Sequence, residues 1–257
     1  HRVGRKVALT EKGRGLAPVI TEAFDRMRSG FASLSAQESQ VLTITTTSSM
    51  ATLWLAARLG AFQMEHPDLA VRLDTSNDWR DFARDGIDVA LRGGRGDWPG
   101  METRKLMPNR LSALCSPDFL DRHGPITDPA QLHHLPRYSP DDIWWHEWFE
   151  AMGVPLTGGS VSRGLYLDSQ AMEGRAAMSG GGIAIVSAFL WRAEMESGLL
   201  VEAFPSRVVI PMAYWLVYPQ HTRNVPKVKA FRDWVTAEFA RERTRDPEGV
   251  FLPVEDA

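Results

Sequence analysis

Leu42–Phe62, LTITTTSSMATLWLAARLGAF, is the stretch whose reading decides the fold. Leu42, Ile44 and Thr46 alternate with Thr43, Thr45 and Thr47, and β-branched residues dominate, which predicts a strand over 42–47. Thr46-Thr47-Ser48-Ser49 then breaks the alternation with hydroxyls suited to capping, and helix-forming Met, Ala and Leu follow. A helix over 49–66 is expected, closed by His66-Pro67. Such a strand–turn–helix aims free backbone N–H groups and the positive end of a helix dipole at one spot, where small anions bind. In a parallel α/β sheet that spot lies at the carboxyl edge, where ligands sit. The same hydroxyls serve equally well as plain helix caps.

Outward from this stretch the alternation continues. Strands are predicted at 70–74, 87–91, 104–107, 110–115, 160–167, 183–186, 199–203 and 213–218. Helices are predicted at 79–85, 143–152, 169–179, 188–197 and 225–242. Two βαβα units result, implying parallel sheets covered by helices, with a cleft between the units as the ligand site. Ahead of the first strand, Thr10 caps a predicted helix reaching about Ala36, with Pro18 marking a restart. Leu16, Ile20, Ala23, Met27 and Leu34 line one face at heptad-like spacing, and that stripe calls for a partner helix, best supplied by a second copy.

The composition, 44% hydrophobic and 24% charged, is that of an ordinary globular chain, and its 257 residues suffice for about two domains. No apolar run is long enough to span a membrane and no secretory leader is visible, so a cytoplasmic location without membrane attachment is expected. The single Cys115 reads as a small buried hydrophobe. Net charge is −3, but residues 1–15 hold five basic residues against one acidic, +4, leaving −7 on the rest. A basic tip on an acidic body points to a polyanion at the tip.

Arg2-x-x-Arg5-x-Val7-x-Leu9-Thr10-x-x-Gly13 resembles the wing and linker-helix start of LysR-type transcriptional regulators. The block DFARDGIDVALRGGRGDWPG (Asp81 to Gly100) resembles their effector-binding domain, in the branch that includes the glycine-cleavage activator. So do Ala113-Leu114-Cys115-Ser116-Pro117, Asp168-Ser169-Gln170-Ala171 with Gly180-Gly182-Ile183-Ala184-Ile185, and Tyr218-Pro219 with Pro226 to Trp234. These pieces keep family order over nearly the whole chain.

The resemblance implies an α/β fold of two Rossmann-like lobes of periplasmic-binding-protein type, preceded by a wing remnant and a dimerising linker helix. It implies residues 1–40 for wing and linker, 41–112 plus 214–257 for lobe one and 113–213 for lobe two. It also implies a ligand-responsive regulator that forms a homodimer through the linker helix and assembles as a homotetramer. Most of the family's winged helix-turn-helix does not precede His1, so DNA is expected to be bound through a head that this chain does not contain. Arg2, Arg5 and Lys6 are then expected at DNA phosphates, where contacts position without specifying sequence.

Four segments are expected to converge on the cleft: Thr46, Thr47, Ser48 and Ser49; Arg92 and Trp98; Tyr138 and Trp144; and Asp168 with Ser169. They offer hydroxyl and backbone donors, one guanidinium for a carboxylate or phosphate, and an aromatic wall, which fits a small anionic metabolite. Asp168 runs against that charge and equally suits a helix cap, while Trp98 and Trp144 equally suit core packing.

Enzyme readings find little support. There is no G-x-S-x-G elbow and no phosphate-binding loop, and Gly180-Gly181-Gly182 precedes a strand, as a helix C-cap turn does. His146 with Glu150, and His133-His134, lack partners at zinc spacing. No catalytic residue, metal or cofactor is expected. The rival reading is a transport solute-binding protein, which shares the two-lobed fold but has no use for a coiled-coil arm.

Overall fold

The computed structural model describes residues 2–3, 6–7, 9–34, 40–156, 164–206 and 208–252. A two-stranded ribbon pairs β1 (Arg2–Val3) with antiparallel β2 (Lys6–Val7). Helix α1 (Glu11–Leu34) follows, started by Thr10, whose Oγ1 accepts from Gly13 N at 3.1 Å. It runs through Pro18 without the expected restart; Pro18 stands eight residues into the helix, and Thr21 Oγ1 donates to Ala17 O at 2.9 Å just beyond it. Leu16, Val19, Ile20, Phe24 and Met27 are all exposed along α1.

Strand β3 (Val41–Thr46) turns at Thr47 into one continuous helix, made of α2 (Ser48–Met50), a π-helical turn (Ala51–Leu55) and α3 (Ala56–Glu65). Strand β4 (Ala70–Thr75), the short helix α4 (Phe82–Asp85) and β5 (Val89–Gly94) complete the first unit. Next come β6 (Met101–Cys115), α5 (Pro117–His123), a 3-10 turn (Pro129–His134) and α6 (Ile143–Ala151). Then follow α7 (Gln170–Met178), β7 (Ala184–Ser187), a 3-10 turn (Ala188–Trp191), α8 (Arg192–Glu196) and β8 (Val201–Glu202). The described chain ends with β9 (Val208–Pro219), a short 3-10 turn (Gln220–Thr222), α9 (Pro226–Thr244) and a tail.

The main sheet runs β4-β3-β5-β9-β6-β7, with β8 on β6. Only β4, β3 and β5 are parallel; β9 pairs antiparallel with both β5 and β6, and β7 and β8 pair antiparallel with β6. Parallel pairing throughout both units was expected, and the second unit departs from it. The reason lies in two long strands. β6 is one 15-residue strand where two short ones were expected, and it runs beside the 12-residue β9. Their register shifts between Lys105 and Met107 and again between Pro108 and Asn109. Pro108 lacks a donor for a regular ladder, and a bulge is where a strand tolerates it.

Among the described residues three hydrophobic clusters form on this frame, a small one of Phe82, Ile87, Ala90 and Val217 with Trp98 and Trp215 against it, and two larger ones. Leu42 and Ile44 of β3 pack with Met50, Trp54, Leu55 and Phe62 and with Val228, Phe231, Val235 and Phe239 of α9. Leu111, Ala113 and Cys115 pack with Trp145, Trp148 and Phe149 of α6 and with Ile183 and Ile185. Each large side chain so buried contributes on the order of 2 kcal/mol. Burial pushes the Cys115 thiol up to about 12, which makes it a hydrophobe in practice. Of the strand expected over 160–167, residues 160–163 lie outside the described residues and 164–167 form no strand.

Candidate functional site

The β3–α2 turn forms locally for the reasons its sequence gives. Thr47 is extended (φ −71, ψ 152) and its Oγ1 accepts from Met50 N at 3.4 Å, so Thr47 caps the helix. Thr46, fully buried, donates from Oγ1 to Leu91 O at 2.9 Å and pins the end of β3 to β5. Ser48 is half-buried at the helix start, and Ser49 Oγ accepts from Ala171 N at 3.1 Å. Ala171 is the second residue of α7. One hydroxyl thus joins the starts of two helices, α2 and α7.

A second contact crosses the same edge. Asn77, in the loop after β4, donates from Nδ2 to Asp168 O at 3.0 Å. Asp168 itself is exposed, and α7 is capped by Ser169, whose Oγ accepts from Met172 N at 3.4 Å. Capping by Asp168 was the alternative foreseen; its neighbour has that role. Gln170 Oε1 accepts from Ser187 N at 2.7 Å and ties the start of α7 to the end of β7. The buried Tyr214 phenol lies beside Gln170 and Ser187, and burial raises its pKa.

Arg92 is buried at the end of β5. It donates from Nη1 to Ser76 O at 2.5 Å and from Nη2 to Thr45 Oγ1 at 3.2 Å. Its Nε is buried with no acceptor among the described residues. Burial lowers the pKa of Arg92, an effect that Asp74 opposes. Arg92 therefore braces the loop that carries Asn77.

The three aromatic candidates are engaged elsewhere. Trp98 stacks on Trp79 at 5.7 Å, meets Trp215 edge-on at 6.4 Å and covers Gly94. Tyr138, nearly buried, donates to Ala176 O at 3.0 Å at the far end of α7. Trp144 packs on the α6 core. Arg5 lies outside the described residues, and Arg2 and Lys6 are placed only as members of β1 and β2.

Asn77, Gln170 and Ala171 make contacts at this edge that sequence reasoning did not single out. Gln170 and Ala171 stood inside a quoted block, and Asn77 follows a predicted strand at the carboxyl edge, so both positions carried a signal. Glu173, one helical turn into α7, is buried near Ser139 and Asp142. Burial pushes its carboxyl up to about 7, against a hydrogen bond from Ser139.

Two lobes with helix starts opposed across a polar edge define a sensor of the bilobal binding type. The family profile described as the LysR substrate binding domain matches residues 35–240, and the chain belongs to the LysR-type transcriptional regulators. The HTH-type transcriptional activator AmpR of Citrobacter koseri is 32% identical over 235 residues, 91% of this chain and 80% of that protein. The glycine cleavage system transcriptional activator of Escherichia coli (strain K12) is 30% identical over 247 residues, 95% of this chain and 80% of that protein. Among solved structures, the effector domain of the regulator AmpR of Pseudomonas aeruginosa superposes with a TM-score of 0.69 at 31% identity, covering 80% of this chain and 98% of that domain. The chain is a ligand-responsive regulator of transcription, and the solute-binder reading is not favoured. None of its described helices is long and apolar enough to cross a membrane.

Proposed function

We propose that the regulator senses a small anionic metabolite at the edge where α2 and α7 begin. The observation that carries this is the 3.1 Å contact from Ala171 N to Ser49 Oγ, which brings two helix N-termini to one place. Both termini carry partial positive charge and free N–H groups, and an anion inserted there interacts with both lobes at once. Thr47, Ser48, Ser49 and Ser169 supply hydroxyls, and Arg92 holds the Ser76–Asn77 loop in place and adds long-range positive charge.

Lobe one is assigned to 41–112 with 214–257 and lobe two to 113–213, the chain passing between them along β6 and β9. The ligand shifts the population toward a closed arrangement in proportion to its preference for it. The exposed apolar stripe of α1 is covered in a homodimer, pairs of dimers form the tetramer, and the change is passed to a DNA-binding head that precedes the β1–β2 ribbon. Arg2, Arg5 and Lys6 then lie near phosphates, and the assembly works in the cytoplasm.

The test is a reporter assay with the head restored, together with mass spectrometry of small molecules that co-purify. Ser48→Asp places a carboxylate at the helix start and is expected to strip anionic species from the protein and abolish the response. Arg92→Ala is expected to blunt it. Full retention of both the response and the co-purifying anion in Ser48→Asp would rule out this site.

A further inference from the structure

The chain turns back on itself after α9. Arg245 ends the helix, Pro247 does not continue it, and Gly249 takes the left-handed conformation (φ 64) that a reversal needs. The nearly buried Asp246 carboxylate holds this turn together. It accepts from Val250 N at 2.9 Å, Phe251 N at 2.8 Å and Leu252 N at 2.6 Å. Bonds to a carboxylate are charge-assisted and stronger than neutral ones. Leu252 is thereby set into the core, 3% exposed, in the cluster that contains Trp54, Phe189 and Phe239.

Arg192, the first residue of α8, is gripped by this same end of the chain. Its Nη2 donates to Arg245 O at 2.7 Å, and its Nη1 lies 3.7 Å from Glu242 Oε2. Its guanidinium stands 5.0 Å from the Phe251 ring centroid, and its Nε meets Glu196 Oε1 of its own helix at 2.7 Å. Glu242 is itself fixed from the first helix by Arg58 Nη2 at 2.5 Å. A carbonyl at the end of α9, a carboxylate of α9 and a ring of the tail thus share one cation of α8. A guanidinium suits that arrangement, since it donates within its plane and stacks through its face. On the lobe assignment proposed above, α8 lies in lobe two, and α9 with the tail lies in lobe one.

We propose that residues 246–252 form a strap that ties α8 to the end of α9 through Arg192 and so limits how far the two lobes move apart. The inference rests on that lobe assignment and on no property of the effector. With the turn intact, Phe251 covers the guanidinium and shields its contacts with Arg245 O and Glu242 from water. With the turn undone, water competes for those contacts and α8 is released from α9. The stiffness of the sensor is then set by a segment other than the ligand edge.

The test is hydrogen exchange of the full chain read by mass spectrometry, with no effector added. Phe251→Ala removes the ring and leaves the Asp246 bonds in place. Peptides covering α8 are expected to exchange about tenfold faster, the scale of one cation–π contact, while peptides covering α6 keep their rates. Phe251→Trp restores a ring face and is expected to return α8 to the parent rate. Asp246→Ala undoes the turn and is expected to speed exchange in both the tail and α8. Spin labels on exposed positions of the two assigned lobes, Arg72→Cys and Asp121→Cys, read the lobes directly, since the native Cys115 is buried. Their distance distribution is expected to broaden in Phe251→Ala. The proposal is overturned if α8 keeps its exchange rate in Phe251→Ala, or if α8 loosens while the label distances stay as they were. Should Asp246→Ala loosen the whole chain, Phe251→Ala decides alone. Neither readout involves the effector, so failure of the proposed effector edge leaves both untouched.

Discussion

The two lobes meet on two sides, and the sides are built differently. At the front, a serine hydroxyl and an asparagine amide each make one neutral hydrogen bond across the edge, Ser49 to Ala171 and Asn77 to Asp168. At the back, Phe189 approaches Trp54 at 6.1 Å and Phe239 at 5.7 Å, while Arg192 reaches Glu242 and donates to Arg245 O at 2.7 Å. A neutral hydrogen bond contributes about 1 kcal/mol net, less than the burial of a tryptophan ring. The back is therefore expected to hold more tightly than the front.

That contrast can be broken from the back first. Trp54→Ala removes a fully packed ring and is expected to cost about 4 kcal/mol in urea unfolding of the chain. A loss under about 1 kcal/mol would mean the back is not the holding side. Next in size is a pH effect on α7, the helix whose start makes the front contact. The Glu173 carboxyl is raised from 4.5 to about 7 in the fold. Its stabilising contribution is therefore complete below about pH 4.5 and is lost as pH rises through about 7. Glu173→Gln is expected to flatten the fall in stability between pH 4 and pH 8 by about 3 kcal/mol, read from denaturation midpoints across that range.

A third change asks whether the front helix leans on the back turn. A Cβ on Gly174 of α7 would stand 2.1 Å from the Trp191 ring, too near for any ordinary contact. Gly174→Ala is expected to cost about 2 kcal/mol and to perturb near-ultraviolet circular dichroism from the tryptophans. The smallest effect belongs to the front itself: Ser49→Ala removes the acceptor for Ala171 N and is expected to cost about 1 kcal/mol in the same unfolding measurement.

The strand–turn–helix at 41–65 was legible because its signals are local. Alternation, hydroxyl cap and helix formers are neighbours in sequence, and Thr47 caps as that pattern implies. The resemblance supplied the family and the two lobes. The union of two short strands into β6 was not legible, since the continuity across Pro108 depends on its pairing with β9, about a hundred residues away. Arg92 stood out as a cation, but nothing local showed that Ser76 O and Thr45 would take its donors. Trp98, Tyr138 and Trp144 were placed at the cleft from their place in the chain, and each has packing of its own. The Ser49–Ala171 bond joins residues 122 apart, and its cross-lobe partner is visible only in the fold.

The paired strands β6 and β9 have a mechanical consequence. A ribbon of two bonded strands resists sliding, since any slip breaks a row of hydrogen bonds together, yet it twists and bends readily where its register is interrupted. The interruptions at Lys105/Met107 and Pro108/Asn109 put that compliance in one short span. The proposed closure of the two lobes is therefore expected to bend the ribbon at that span.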